Sequence, residues 1–341
     1  MTTIGRAFVA YGLLGTTAWA VACSSSSTSD TDDAGAADAG AVTVTGPTTT
    51  GDPAVLAGSF QVKVVAPVAA IGNSPASAGS ATFVGKLYDG PSPSDIIWET
   101  AATEGSCKLV TPKVPFCSTP CGGSKACVAD DTCQAYPTAK SAGVVTVRGL
   151  KTEAGASEVA MSPVANAYQA PAGTKLAYPP FAEGDAVTLS AKGDYFVPFE
   201  LSTKGVLPLE LGADVPKLET GKALTIGYKA GAAGLAKIVA TLDISHHGGT
   251  KGKIECESDD TGTLEIAAPL VTKLLALGVA GFPTVVVSRQ AKAQTVVSSG
   301  RVELTISSVV ERTVEVPGIV SCTDTTQCPN GQTCQADLTC K

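Results

Sequence analysis

Eleven cysteines and two histidines are the residues of this 341-residue sequence whose types and spacing point to chemistry. A cysteine thiol can close a disulfide, bind a metal or carry a modification. Cys121, Cys127 and Cys133 stand five residues apart, and so do Cys328, Cys334 and Cys340. Both frames end in Ala-Asp-x-Thr-Cys, and each has one further cysteine upstream, Cys117 and Cys322. Shared spacing and shared letters mark an internal repeat of two four-cysteine modules. Zinc sites favour cysteine pairs two to four residues apart, so five-residue gaps point to disulfides rather than metal. Cys107 and Cys256 are left as the natural fifth bridge, and closing so long a loop contributes roughly 4–5 kcal/mol if unstrained. Four cysteines allow three pairings, and within each module all three stay open. A module of some 20 residues is too small for a hydrophobic core, so its bridges must supply its stability.

The histidines are adjacent, in His246-His247-Gly248-Gly249. Together with Asp243 they are the metal candidates, and His247-Gly248-Gly249 is the place where an esterase oxyanion strand would lie. Two points weigh against both. Neighbours on a strand point to opposite faces. The esterase reading also needs a Gly-x-Ser-x-Gly elbow, and Gly72-Asn73-Ser74-Pro75-Ala76 has Pro where a helix should start and Ala for the last Gly. A strand end running into a glycine turn is the expectation. Gly248 to Lys253 lacks the P-loop spacing. Asp259 and Asp260 read as turn formers, and the Asp30, Asp32, Asp33 and Asp38 group lacks the glutamate that closes a calcium loop. No cofactor, metal or catalytic residue is expected.

Cys23 stands apart from the other cysteines. Arg6 and the terminal amine precede an apolar run, Ala7 to Ala22, which ends Ala20-Val21-Ala22-Cys23. This resembles a lipobox, in which small residues fit the peptidase cleft and the thiol takes a diacylglyceryl group. The resemblance implies a signal peptide over 1–22, lipidation at Cys23 and attachment to a membrane. Ser24 is not the Asp that marks inner-membrane retention, so an outer-membrane address is expected, with the leaflet open. Residues 23–53 are then a polar tether with too little apolar surface to offset its ordering entropy.

The elements that position these groups are read from periodicity. Charged residues make up 16% and hydrophobic ones 44%, with 36 Gly and 21 Pro to supply turns. Runs such as Phe60-Gln61-Val62-Lys63-Val64, Ala186-Val187-Thr188-Leu189 and Val302-Glu303-Leu304-Thr305-Ile306 alternate with period two. Strands with one buried face and frequent turns predict antiparallel β-sandwiches. Ala268 to Leu277 carries leucines at helical spacing before Gly278, and predicts one short helix. The expected fold is all-β, with one or two antiparallel sandwich units, one short helix and two disulfide-rich modules. The expected units are 54–153, with a cysteine-rich insertion at 107–134, and 183–320. A linker or loop at 154–182 separates them, and the second module closes the chain at 321–341. Trp98, beside Ile96 and Ile97, is expected in the core. Tyr168, Tyr178 and Phe181, in a Pro-rich stretch, are the first guess for a binding patch.

The cysteine frame resembles short secreted modules loosely of Dickkopf N-terminal type. In layout, with lipobox, Ser-rich tether, β-domain and a terminal C-x5-C-x5-C-x5-C tail, the chain resembles myxobacterial-type cysteine-rich lipoproteins. That resemblance carries no activity with it. A net charge of −7 without a basic cluster argues against nucleic acid. The expected function is a non-catalytic envelope lipoprotein, a surface binding or adhesion module with a protein partner. A structural envelope protein without a ligand, and a hydrolase or metal site around His246 and His247, are the alternatives.

Overall fold

The computed structural model describes residues 51–67, 76–94, 96–212 and 214–341. The expected signal peptide, Cys23, nearly all of the expected tether and most of the Gly72–Ala76 segment lie outside the described residues.

The chain opens with β1 (Leu56–Val65), β2 (Ser80–Tyr88), β3 (Ile97–Glu104) and β4 (Cys107–Lys113). The first cysteine module follows as β5 (Lys125–Ala129) and β6 (Thr132–Ala135), a hairpin paired only with itself. Next come β7 (Ala139–Lys140), β8 (Val145–Arg148), β9 (Glu158–Met161) and β10 (Ala167–Gln169). After β11 (Ala186–Ala191), β12 (Phe199–Lys204) and β13 (Leu224–Gly227), the chain forms β14 (Lys237–Asp243), β15 (Lys253–Asp259) and β16 (Thr263–Ile266). Helix α1 (Ala268–Ala276) precedes two 14-residue strands, β17 (Thr284–Val297) and β18 (Gly300–Thr313).

A ten-stranded sheet in the order β10-β2-β1-β18-β17-β14-β15-β4-β3, with β7 beside β2, is the backbone of the protein. The fold is all-β, as its alternating sequence predicts. The pairing of β1 with β18 is parallel, and the other strand pairs among the described residues are antiparallel. Strands from 54–153 flank a block from 183–320 on both sides in this sheet: β1 pairs with β18, and β4 pairs with β15. The stretch 154–182, expected as linker or loop, contributes β9 and β10 to the two sheets. Periodicity shows where a strand is but not which strand lies beside it, so these pairings are invisible along the chain.

Two layers cover one face of the large sheet. The four-stranded sheet β12-β11-β8-β9 encloses a core of Phe60, Val62, Phe83, Val147, Leu189 and Leu304. The β13–β16 ribbon and α1 enclose a second, with Ile238, Leu242, Ile254, Ile266, Leu270 and Val287. Each such side chain contributes roughly 1.5–3 kcal/mol on full burial. The helix spans Ala268–Ala276 with Pro269 in its first turn and turns Leu270, Val271 and Leu274 inward. Gly278 follows at φ 86°, where an L side chain would be strained.

Between the two cores lies a buried charge. Along β17, Val285, Val287, Arg289 and Ala291 share the inward row, and Arg289 is completely buried. Its guanidinium donates to both carboxylate oxygens of Asp260, at 2.5 and 3.2 Å, and to the carbonyls of Leu207, Pro208 and Lys229. The Leu207 and Pro208 carbonyls lie on the segment that crosses from one core to the other: Val206 belongs to the first and Leu209 to the second. Ser308, opposite Arg289 on β18, accepts from the Leu209 N–H at 2.8 Å. Asp260 is therefore a buried ion-pair partner rather than a turn former. Desolvating this pair is costly, and the complete set of hydrogen bonds offsets that cost. Its evident role is to pin the crossover.

Candidate functional site

Five disulfides are present among the described residues. Cys107 and Cys256 lie directly opposite each other on β4 and β15, with Cα atoms 4.0 Å apart and a sequence separation of 149. The first module closes Cys117–Cys127 and Cys121–Cys133; the second closes Cys322–Cys334 and Cys328–Cys340. Of the three pairings left open, both modules take first-to-third and second-to-fourth. The repeat thus extends from letters to connectivity. It extends to the backbone as well: Asp131 and Leu338, the variable position of Ala-Asp-x-Thr-Cys, have φ of 54° and 57°.

The modules differ in their surroundings. In the second, Cys322, Thr339 and Cys340 are buried. The turn at Gly281 donates its N–H to the Asp337 carbonyl at 2.7 Å, and its carbonyl accepts from Ser321 Oγ at 2.6 Å. Module and body therefore share both polar groups of one glycine. Its neighbour Gly248 approaches so closely that a Cβ there would lie 2.2 Å from the Gly281 nitrogen. The Lys341 ammonium and the Thr339 hydroxyl hold the Asp337 carboxyl down at about 2. In the first module, Thr132 and Cys133 are exposed. Val114 and Phe116 are 72% and 73% exposed on either side of the buried Pro115, and Tyr136 is exposed nearby in sequence. Internal bonds dominate: Asp131 accepts from the Ser118 N–H and hydroxyl, which lowers its carboxyl, and donates its own N–H to the Phe116 carbonyl. Gln134 reaches the Pro91 carbonyl at 2.8 Å.

His246 and His247 sit in a turn beyond the end of β14, not on the strand. His247 takes a left-handed backbone (φ 64°), which places the two rings 4.0 Å apart at 53°. The opposite-faces expectation fails here because β14 ends at Asp243. His247 is exposed and His246 half-buried. Asp243 is engaged by Ser245, whose N–H and hydroxyl both donate to its Oδ1, at 2.7 and 3.0 Å. Among the described residues, the groups of three or more clustered potential metal ligands are Cys117, Cys121, Cys133 and Cys322, Cys328, Cys340. Those sulfurs are already bonded in disulfides, and neither group includes His246, His247 or Asp243.

The aromatic patch expected at Tyr168, Tyr178 and Phe181 is not a surface. Tyr168 and Phe181 are buried in the first core, against which half-buried Tyr178 packs. Tyr168 packs against Phe60 with the rings tilted at 54°, its hydroxyl accepts from the Ala142 N–H and donates to the Gly143 carbonyl, and burial pushes its phenol up. These residues follow strand β10 and its flanking segments inward, where the Pro-rich context suggested a loop. Trp98 is half-buried on the edge strand β3, with the Lys253 ammonium 4.2 Å from its ring centre, so it is neither core nor open platform. A groove of about 580 Å³ runs along the Cys107–Cys256 bridge. Burial there would raise Glu255, but bonds from Lys253 and Lys108 outweigh it and hold the carboxyl low. Within the groove, Lys108 pairs with Glu255 at 3.2 Å.

Sequence reasoning did not single out Val114, Phe116 or Arg289, and it read Asp260 only as a turn former. An apolar residue in a cysteine-rich loop carries no periodicity to say which way it points, and an arginine on a strand reads as its polar face.

The chain matches no protein-family model and no curated protein sequence.

Proposed function

We propose that the protein is a non-catalytic cell-envelope lipoprotein, held to the outer membrane by a lipid on Cys23, whose folded body binds a protein partner. The observation that carries this reading is the first cysteine module. It extends from β4, pairs only with itself and exposes Val114 and Phe116, which a disulfide framework holds without a core. Exposed large apolar side chains on a rigid support suit protein recognition, where aromatic anchors contribute most of the binding energy. Five disulfides suit an oxidising compartment beyond the cytoplasm. No helix among the described residues is long and apolar enough to cross a membrane. The anchor assigned is the lipid on Cys23, the cysteine that directly follows the apolar run Ala7 to Ala22.

Protease shaving of intact cells, with mass spectrometry of released and retained peptides, tests the reading. Release of module peptides together with a retained lipid-modified Cys23 peptide is the expected outcome. An unmodified Cys23, or a body protected from protease on intact cells, would remove surface binding from the reading.

A further inference from the structure

The two modules align from their second cysteine to their last, so a docking residue in the closing frame of one identifies its counterpart in the other, and the residue before the first cysteine is matched by its place beside that cysteine. The second module is held to the body at two points: the Asp337 carbonyl, which accepts from Gly281 N–H, and Ser321, the residue just before its first cysteine, which donates to the Gly281 carbonyl. The counterpart of Asp337 is Asp130, and the residue just before the first cysteine of the other module is Phe116. Both are exposed. Asp131 N–H donates to the Phe116 carbonyl, so the two counterparts lie side by side on one face. Among the described residues, the Asp130 carbonyl accepts from its own Thr132 hydroxyl, at 3.3 Å, and from no backbone N–H. Thr339 and Cys340 are buried against the body, whereas their counterparts Thr132 and Cys133 are bare.

We infer that the 129–133 edge of the first module, with Phe116 and Val114 beside it, is a docking face for a tight glycine turn of another protein. The turn offers an unpaired backbone N–H to the Asp130 carbonyl, as Gly281 does to Asp337. The exchange of Ser321 for Phe116 sets the chemistry of the rest: where the body offers a carbonyl to a hydroxyl, the partner offers an apolar neighbour to a phenyl ring. The occupant is a separate protein, since the one turn of this chain shown to fit such an edge, Gly281, already has both backbone polar groups engaged by its own second module. The inference rests on the reading of the protein as a surface binder, and it specifies which face binds and what that face recognises.

A head-to-tail cyclised peptide that carries Val279-Ala280-Gly281-Phe282-Pro283 is the probe, titrated into the isotope-labelled full chain. Amide shifts confined to Phe116 and Ala129–Cys133 are expected, together with a loss of at least about tenfold in affinity in Phe116→Ser. Val84→Ser, which removes an exposed valine on β2, should leave the affinity unchanged. Three results would overturn the inference: no shift at millimolar peptide, shifts centred on the second module, or a concentration-dependent dimer in sedimentation that Phe116→Ser abolishes. Adsorption of the labelled full chain to intact cell surfaces separates the two ideas. Retention by Phe116→Ser at the unsubstituted level overturns the docking face and leaves the binder reading. Peptide binding without any surface retention leaves the docking face and removes the binder reading.

Discussion

The two cysteine modules share the spacing of their last three cysteines, the disulfide pairing and the closing frame Ala-Asp-x-Thr-Cys, yet one is part of the body and the other stands away from it. The second has a glycine turn of the body between its Ser321 and Asp337, and its last two frame residues, Thr339 and Cys340, are buried. The first grows out of β4 as a hairpin with Phe116 and Thr132 in solvent. The bridges make each module a rigid unit by restricting its unfolded chain, whatever lies beneath it. Docking is a separate property that depends on the residue before the first cysteine and on a complementary turn. A disulfide framework therefore serves equally as a clasp and as a projecting arm.

The largest effect that tests this contrast lies in the body. Arg289→Ala leaves the Asp260 carboxylate buried without its partner, which should destabilise the protein by about 3–5 kcal/mol. In a urea titration followed by hydrogen exchange, the second module should lose protection together with the body. The β5–β6 hairpin, closed by its own bridges, should keep its protection past that midpoint. Simultaneous loss in both modules would break the comparison.

Removing one bridge from each module is the next test. Cys322→Ser with Cys334→Ser opens a bridge whose first cysteine is fully buried, and should lower global stability by about 2–4 kcal/mol. Cys117→Ser with Cys127→Ser should appear in calorimetry as almost no change in the main transition, and as new protease cleavage between residues 114 and 136. A smaller and more local change separates the clasp from the arm. Ser321→Ala removes the hydroxyl that binds the Gly281 carbonyl and should cost about 1 kcal/mol in chemical denaturation. Ser118→Ala, at an exposed bond within the first module, should stay within about 0.5 kcal/mol.

The smallest effect is on pH. Asp337 is held at about 2, below its ordinary 3.8, mainly by Lys341. Its contribution is thus fully present above about 3.8 and disappears as the pH falls through about 2. Exchange of the Gly281 amide should stay slow at pH 3.5 and accelerate only as the pH approaches 2. In Lys341→Ala that acceleration should begin at higher pH. An amide that exchanges equally fast at pH 3.5 and pH 2 would separate docking from this carboxylate.

Much of the architecture is carried by local pattern. Cysteine counting isolates Cys107 and Cys256 and exposes the repeat, because two like sets of four and Cys23 leave just those two thiols, and because letters at equal spacing survive translation along the chain. Alternation places β1, β11 and β18, and leucine spacing places α1, since periods of two and 3.6 residues record which face of an element meets a core. The choice among the three pairings within each module required the backbone that brings Cys117 to Cys127 and Cys322 to Cys334.

What lies beyond those patterns depends on neighbours distant in sequence. The parallel pairing of β1 with β18, the burial of Tyr168 and Phe181, and the meeting of Arg289 with Asp260 each join segments whose own letters say nothing of one another. The sequence by itself determines the β-rich class, the helix, the repeat and the set of bonded cysteines, because each follows from spacing along one stretch. Only the tertiary structure decides which module is docked and which is bare, because Ala-Asp-x-Thr-Cys reads alike in both until the Gly281 turn is folded against one of them.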